Sequence, residues 1–314
     1  MTNIQKCGVS GVGFVGATCA YTLAVSGLFS DLVLVDMNRD KAIGEAADIN
    51  HGVAFSKPCR VMAGDYADLA ECGLIIIAAG ANQKPGESRL ELLGRNKGIL
   101  SSVIAQLTAV NREAILLVVS NPVDVLTCLA QQLSGFPAGR VLGSGTVLDT
   151  ARLKYLLGQR LGVDSRNVHA FIIGEHGDSE LAVWSSANIS GADLDDYCRI
   201  AGITKPADEL SRIYEHVRDA AYQIIDSKGA TYYGIGMAVR RIAEAIVRNE
   251  HSVLPVTSMI YGHYGVDGIC LGVPTIVGRN GAEAVLDMPL SEEELAQLQR
   301  SANTMREMID KLDG

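Results

Sequence analysis

Short, continuously apolar runs alternate with longer amphipathic stretches along the first half of the chain. Residues 6–13 (KCGVSGVG), 32–36 (LVLVD), 59–64 (CRVMAG), 74–80 (LIIIAAG), 114–121 (AILLVVSN) and 140–145 (RVLGSG) are too evenly apolar for strands with one wet face. They read as parallel strands covered on both sides. Amphipathic segments over 15–27, 39–53, 90–110 and 123–134 predict helices between them. That alternation predicts an α/β fold built on a doubly wound parallel sheet. Past residue 145 the rhythm changes to a long helix (148–161), a strand-like piece (168–173), a helical stretch (207–227) and a further helix (232–248). Strand-like runs at 252–262 and 268–279 and a polar-faced helix at 291–312 complete the chain. The expectation is a second, mixed α/β domain over 146–314 after a first domain over 1–145, with no repeat or Pro/Gly-rich linker between them.

Composition narrows the function classes. With 314 residues, 48% of them hydrophobic, the chain can bury a large core. Its net charge of −9 argues against nucleic acid, whose phosphates need clustered Lys and Arg, so an anionic ligand must be caught by a few placed cations. Seven scattered cysteines without a C-x-x-C pair give no metal or redox motif and read as small apolar residues in a reducing, cytoplasmic setting. No apolar run approaches the ~20 residues of a membrane span, and no signal-peptide core precedes the first strand.

Residues 11–16 (GVGFVG) place Gly11, Gly13 and Gly16 in the G-x-G-x-x-G arrangement, with Phe14 and Val15 inside it, directly after a strand and opening a helix. The first glycine allows the tight turn, the second lets backbone approach a pyrophosphate, and the third lets helix pack on strand. The helix start then offers free N–H groups to phosphate. A glycine turn alone is common between strand and helix, but Asp36 ends the next strand 20 residues after Gly16, where an acid can hold both hydroxyls of an adenosine ribose. Asp36 could instead cap the following helix. Met37 and Asn38 follow it, and Arg39 is not adjacent, which favours NAD over NADP and a Rossmann-type first domain.

The stretch IIGEHGDSE (172–180) sets His176 between Glu175 and Asp178 at the end of a strand-like run. Alone, it fits a solvated turn as well as a site. Beside a hydride carrier, an imidazole suits proton transfer in both directions near neutrality. In VLDTARL (147–153), Asp149 and Arg152 share one helix face, giving a carboxylate to orient the histidine and a guanidinium to grip a substrate carboxylate; a surface ion pair would have the same spacing. GANQKPGESRLELLGRN (80–96) leaves a buried strand through glycines and a proline, as a lid loop would, and carries Arg89 where it could meet a carbonyl oxygen or simply sit solvated at a helix start.

These segments, with SNPVD (120–124), GSGTVLDTARL (143–153) and GATYYGI (229–235), occur in the order and at the spacing of the lactate/malate dehydrogenase family, which the chain closely resembles over essentially its whole length. The resemblance is to the bacterial L-lactate branch. It implies His176 as proton donor and acceptor, Asp149 as its partner, Arg152 as carboxylate anchor and Arg89 as the lid arginine. It further implies Asn121 near nicotinamide and carbonyl, Ser144 beside the cofactor, Thr231 in the substrate pocket, and a homotetramer. The malate branch carries arginine at the lid position held here by Gln83, so a methyl group, as in pyruvate, fits better than a second carboxylate. Neighbouring Lys84 leaves oxaloacetate in play, and the related hydroxyisocaproate dehydrogenases leave larger 2-oxo acids in play. A non-catalytic dinucleotide-binding module would need the glycines and Asp36 but not His176, Asp149 and Arg152. Finally, Lys154 points away from Arg152 on the same helix, and relatives activated by fructose 1,6-bisphosphate resemble this chain in a basic residue there and a histidine at His169. Those relatives carry arginine where this chain has Lys154, so weaker activation is expected, or simple solvation of a subunit interface.

Overall fold

The computed structural model describes residues 2–81, 89–204 and 208–313. The first half runs β1 (Asn3–Ser10), α1 (Phe14–Ser26), β2 (Asp31–Val35), α2 (Arg39–Val53), β3 (Arg60–Ala63), β4 (Cys72–Ile77), α3 (Arg89–Val110), β5 (Ile115–Val118), α4 (Val123–Ser134) and β6 (Val141–Gly143). The second half runs α5 (Val147–Leu161), β7 (Val168–Ile173), β8 (Leu181–Ile189), β9 (Ala192–Asp193), α6 (Leu194–Ala201), α7 (Glu209–Lys228), α8 (Tyr233–Arg248), β10 (Ser252–Leu254), β11 (Thr257–His263), β12 (Val266–Gly272), β13 (Thr275–Gly278), β14 (Gly281–Val285) and α9 (Glu292–Asp313).

The main sheet has the spatial order β3-β2-β1-β4-β5-β6-β11-β12, parallel from β3 through β6. The order reverses between β1 and β4, and the crevice beyond the carboxyl ends of those strands is where such sheets bind ligands. Side chains on β4 divide between two cores: Leu74 and Ile76 join α1, α2 and α8 on one face, and Ile75 and Ile77 join α3, α4 and α9 on the other. Burial on both faces explains the unbroken apolar runs in the sequence. Two strands from the second half extend this sheet, β11 antiparallel to β6 and β12 antiparallel to β11.

Two readings of the second half need correction. The runs 252–262 and 268–279 are each two strands, broken around Pro255 and Pro274, which lack the N–H a ladder requires. β8 and α6 went unread. β8 begins with three consecutive buried residues and alternates only afterwards, and α6 is an eight-residue helix anchored by Leu194 and Cys198.

β7 leads to His176 and lies at the edge of a three-stranded sheet, β7-β8-β9. Its outward backbone groups at Ile172 are satisfied by α5: Ile172 N donates to Thr150 Oγ1 at 2.9 Å, and Thr146 Oγ1 donates to Ile172 O at 2.6 Å. Two threonine hydroxyls thus fix the strand that carries the histidine against the helix that carries Asp149. Thr150→Val keeps the shape and leaves the buried Ile172 N–H without an acceptor, so chemical denaturation should show a loss of about 1–3 kcal/mol; an unchanged midpoint would contradict this role for the hydroxyl.

Candidate active site

The glycine turn is dictated by close approach at two of its three glycines. Gly11 has φ +90°, and a Cβ there would stand 2.5 Å from the Ala79 backbone; a Cβ on Gly16 would stand 1.8 Å from Gly11 O. Gly13 differs, because a Cβ there would meet nothing within 4 Å. No described side chain caps the start of α1. The bare Gly13 and uncapped N–H groups therefore face open space, a cradle suited to pyrophosphate. Phe14 is 67% exposed, and its ring stacks on Tyr232 with centroids 5.5 Å apart. Val15 is half-buried in the first turn of α1.

Asp36 stands at the mouth of this turn, accepting from Val12 N at 2.8 Å and Asn38 N at 2.9 Å. It does not cap α2; Asn38 does, accepting from Lys41 N at 3.1 Å. Arg39 is engaged by Asp65 at 2.7 Å, so its guanidinium already holds a carboxylate. Asn121 and Ser144 follow β5 and β6 at the same sheet edge. Asn96, unremarked in the sequence, ties the neighbouring strand exits together, its Nδ2 donating to Asn121 O at 2.9 Å while its Oδ1 accepts from Ala81 N at 2.8 Å.

Asp149 sits in the first turn of α5, where the helix N-terminus favours a carboxylate. Its side chain is 3% exposed and holds two cations at once: Oδ1 accepts from Arg152 Nη1 at 2.7 Å, and Oδ2 lies 2.7 Å from His176 Nδ1. The histidine ring is 26% exposed, so one edge is held while the other faces the cavity. Burial pulls the imidazolium down, but the Asp149 carboxylate, by charge and by hydrogen bond, outweighs it and pushes His176 up to about 9. Asp149 is lowered in return: its burial opposes ionisation, and His176 and Arg152 overcome it.

The backbone that carries His176 is held from three sides. Gly174 exchanges hydrogen bonds with Gly272 of β12 at 2.8 and 3.1 Å, Glu175 N donates to Ser301 Oγ of α9 at 2.8 Å, and His176 N donates to Asp124 Oδ2 of α4 at 2.7 Å. Asp124 is 1% exposed, accepts also from Thr257, and is pushed by burial up to about 6. Within SNPVD (120–124) no local pattern marks this acid as functional. A carboxylate on a helix otherwise buried from Val123 to Ala130 was the available signal.

Asn121, Asp149, Arg152 and His176 line one cavity of about 480 Å³ with Glu175 and Glu180. Leu92, Leu93, Ala221, Tyr222, Ile225 and Met308 give it an apolar wall, and Arg218 and Lys311 add positive charge. Thr231 is not among the lining residues: it lies between α7 and α8, half-buried, outside this wall. Gln83 lies outside the described residues, and of Arg89 only the backbone opening α3 is within them. Lys154 and His169 do not line the cavity; Lys154 is half-buried on α5, and His169 is exposed on β7, against which α5 packs.

Residues 5–143 match the family model for the lactate/malate dehydrogenase NAD binding domain, and residues 146–313 match the model for the alpha/beta C-terminal domain of the same enzymes. The chain is 53% identical over 310 residues to L-lactate dehydrogenase of Acetivibrio thermocellus, covering 99% of this chain and 98% of that one. It is 49% identical over 312 residues to L-lactate dehydrogenase 1 of Clostridium acetobutylicum, covering 99% and 100%. Among solved structures, MGS-M5, a lactate dehydrogenase from a Medee basin deep-sea metagenome library, superposes with a TM-score of 0.96 at 45% identity over 100% of both chains. The ligand-bound minor L-lactate dehydrogenase of Enterococcus mundtii superposes at 0.95 with 41% identity over 98% of each. With matching models over both halves and relatives this similar along its whole length, the chain belongs to the lactate/malate dehydrogenase family.

Proposed function

We propose that the chain is an NAD-dependent L-lactate dehydrogenase, interconverting pyruvate and L-lactate. The observation that carries this reading is the single carboxylate of Asp149 holding both Arg152 and His176 at 2.7 Å beside an otherwise largely apolar cavity. NAD fits the chain: the open cradle at Gly13, with Gly11, Phe14, Val15 and Gly16 around it, takes the pyrophosphate, Asp36 takes the ribose hydroxyls, and Asn121 and Ser144 flank the nicotinamide end. The engagement of Arg39 by Asp65 leaves the ribose site without a free guanidinium for a 2′-phosphate. When bound, the reduced cofactor supplies hydride.

The protein supplies the rest. Arg152 grips the substrate carboxylate and orients the keto carbon. His176 donates its proton to the keto oxygen as negative charge develops there, Arg89 of the lid polarises the same oxygen, and Asp149 stabilises the imidazolium until it reacts. Neutral Gln83 and the apolar wall suit a methyl group rather than a second carboxylate. Rates of NADH oxidation should therefore rank pyruvate above oxaloacetate and 2-oxoisocaproate. A larger kcat/KM for oxaloacetate would move the chain to malate, and one for 2-oxoisocaproate would move it to larger acids. The seven buried, unpaired cysteines suit a reducing cytoplasm.

Pyruvate reduction needs the imidazolium and lactate oxidation the neutral ring. With His176 pushed up to about 9, reduction should persist to about pH 9 and decline above it, while oxidation rises over the same range. His176→Gln should lower kcat by roughly 10²–10⁴-fold with NADH binding, followed by fluorescence, intact. Retention of most of the turnover would remove His176 from the proton step.

A homotetramer responsive to fructose 1,6-bisphosphate belongs to the same reading, with Lys154 and His169 on the packed pair α5 and β7 meeting its phosphates. Burial lowers the Lys154 ammonium from its ordinary range, and a phosphate nearby would oppose that shift. The effector should shift the pyruvate saturation curve leftward, and Lys154→Ala should abolish the shift. Superimposable curves together with an unchanged particle size in light scattering would refute it.

A further inference from the structure

The proton and anchor roles leave two buried acids of the cavity unused, and one of them, Glu175, is engaged by Ser179. Glu180 lies four residues past His176, immediately before β8, is 5% exposed, lines the same cavity, and has its Oε1 buried with no hydrogen-bond partner. Asp149, His176 and Glu180 each offer an atom within 4.8 Å of the others, a spacing that would hold a small cation. A metal ion is a poor occupant, because both Asp149 oxygens are already committed, one to Arg152 and one to His176. A proton relieves the same crowding without breaking either bond.

We propose that Glu180 works as an un-ionised carboxylic acid, a positioning residue that leaves the catalytic cavity with one net positive charge and so fits it to a monoanionic 2-oxo acid. The charges decide the point. Arg152 and imidazolium His176 carry two positive charges against one negative on Asp149; the other charged residues of the lining, Arg218 and Lys311 against Glu175 and Asp178, balance in number, and the remaining single charge matches one substrate carboxylate. An ionised Glu180 would cancel that charge and set a second anion beside the anchor.

Every element facing Glu180 contributes to this balance. Asp149 and Arg152 face it from α5, His176, Glu175 and Asp178 from the preceding turn, and Tyr214 and Arg218 from α7. Glu175 is occupied by Ser179, and the Tyr214 hydroxyl donates to the Glu180 backbone carbonyl, leaving the carboxyl itself free to face the cavity. Burial first, then Asp149, pushes the Glu180 carboxyl up to about 9, against the opposing pull of His176 and Arg152.

As pH rises through the range where Glu180 ionises, the cavity loses its positive charge and KM for pyruvate rises, separately from the fall in kcat as His176 loses its proton. The kinetic arm rests on the lactate dehydrogenase reading; the titration arm does not. In wild-type protein labelled with ¹³C at glutamate carboxyls, NMR should show one carboxyl titrating in the alkaline range, absent from Glu180→Gln. The alkaline rise in KM should be smaller in Glu180→Gln by about 10-fold, the effect of one neighbouring charge worth a pKa unit, while the kcat decline remains. If every glutamate of the wild-type protein titrates in acid, or if the KM profiles of the two proteins superimpose, the proposal is overturned. Should Glu180→Gln fail to fold, the wild-type titration alone decides.

Discussion

One carboxylate organises this molecule's chemistry. Asp149 is almost completely buried and survives as an anion because two cations and a helix N-terminus face it. Holding Arg152 and His176 on separate oxygens fixes the spacing between the group that anchors a substrate and the group that exchanges its proton. Removing that charge would leave two cations close together in a poorly hydrated space, with no reason for the imidazole to stay protonated above its ordinary range. The arrangement depends on α5 and the turn after β7 meeting in a fixed register, which the Thr146 and Thr150 hydroxyls supply through Ile172.

The rest of the fold serves that register. Helices on both faces of the parallel sheet create two dry cores, and the chain places its ligand groups where the strands end, at the reversal between β1 and β4 and along the edge to β6. β11 and β12 continue the sheet, so the Asp124 carboxylate on α4 can reach both Thr257 of β11 and the backbone of His176. A buried acid has a desolvation cost, reduced here by those donors, and it joins the first half of the chain to the catalytic turn. The histidine stands on a turn braced by α4, β12 and α9.

Much of this was legible because local rules and the global fold agree. Continuous apolar runs marked doubly buried strands, the glycine spacing marked the turn after β1, and the three-residue interval between Asp149 and Arg152 marked a shared helix face. Position-specific meaning within the glycine motif was legible too: Gly11 and Gly16 answer to the chain's own backbone, as a tight turn and close helix packing require, and Gly13 is left bare toward open space. β8 was missed because its opening is buried on both faces and lacks alternation, and the two split runs were missed because a proline between apolar strands was read through. Asp124, Asn96 and Glu180 carry meaning only through residues far along the chain, which no local pattern displays. Thr231, carried over from family resemblance, falls outside the cavity wall, and Gln83 lies outside the described residues.

The central claim is that the Asp149 carboxylate sets the proton affinity of His176. The direct measurement is the titration of the His176 ring nitrogens by ¹⁵N NMR in the unliganded protein and in Asp149→Asn. The account predicts a wild-type ring titrating up near 9, and a mutant ring whose titration falls to or below its ordinary value near 6.5, because burial then acts without its counter-charge. A ring that titrates in the same place in both proteins would contradict it.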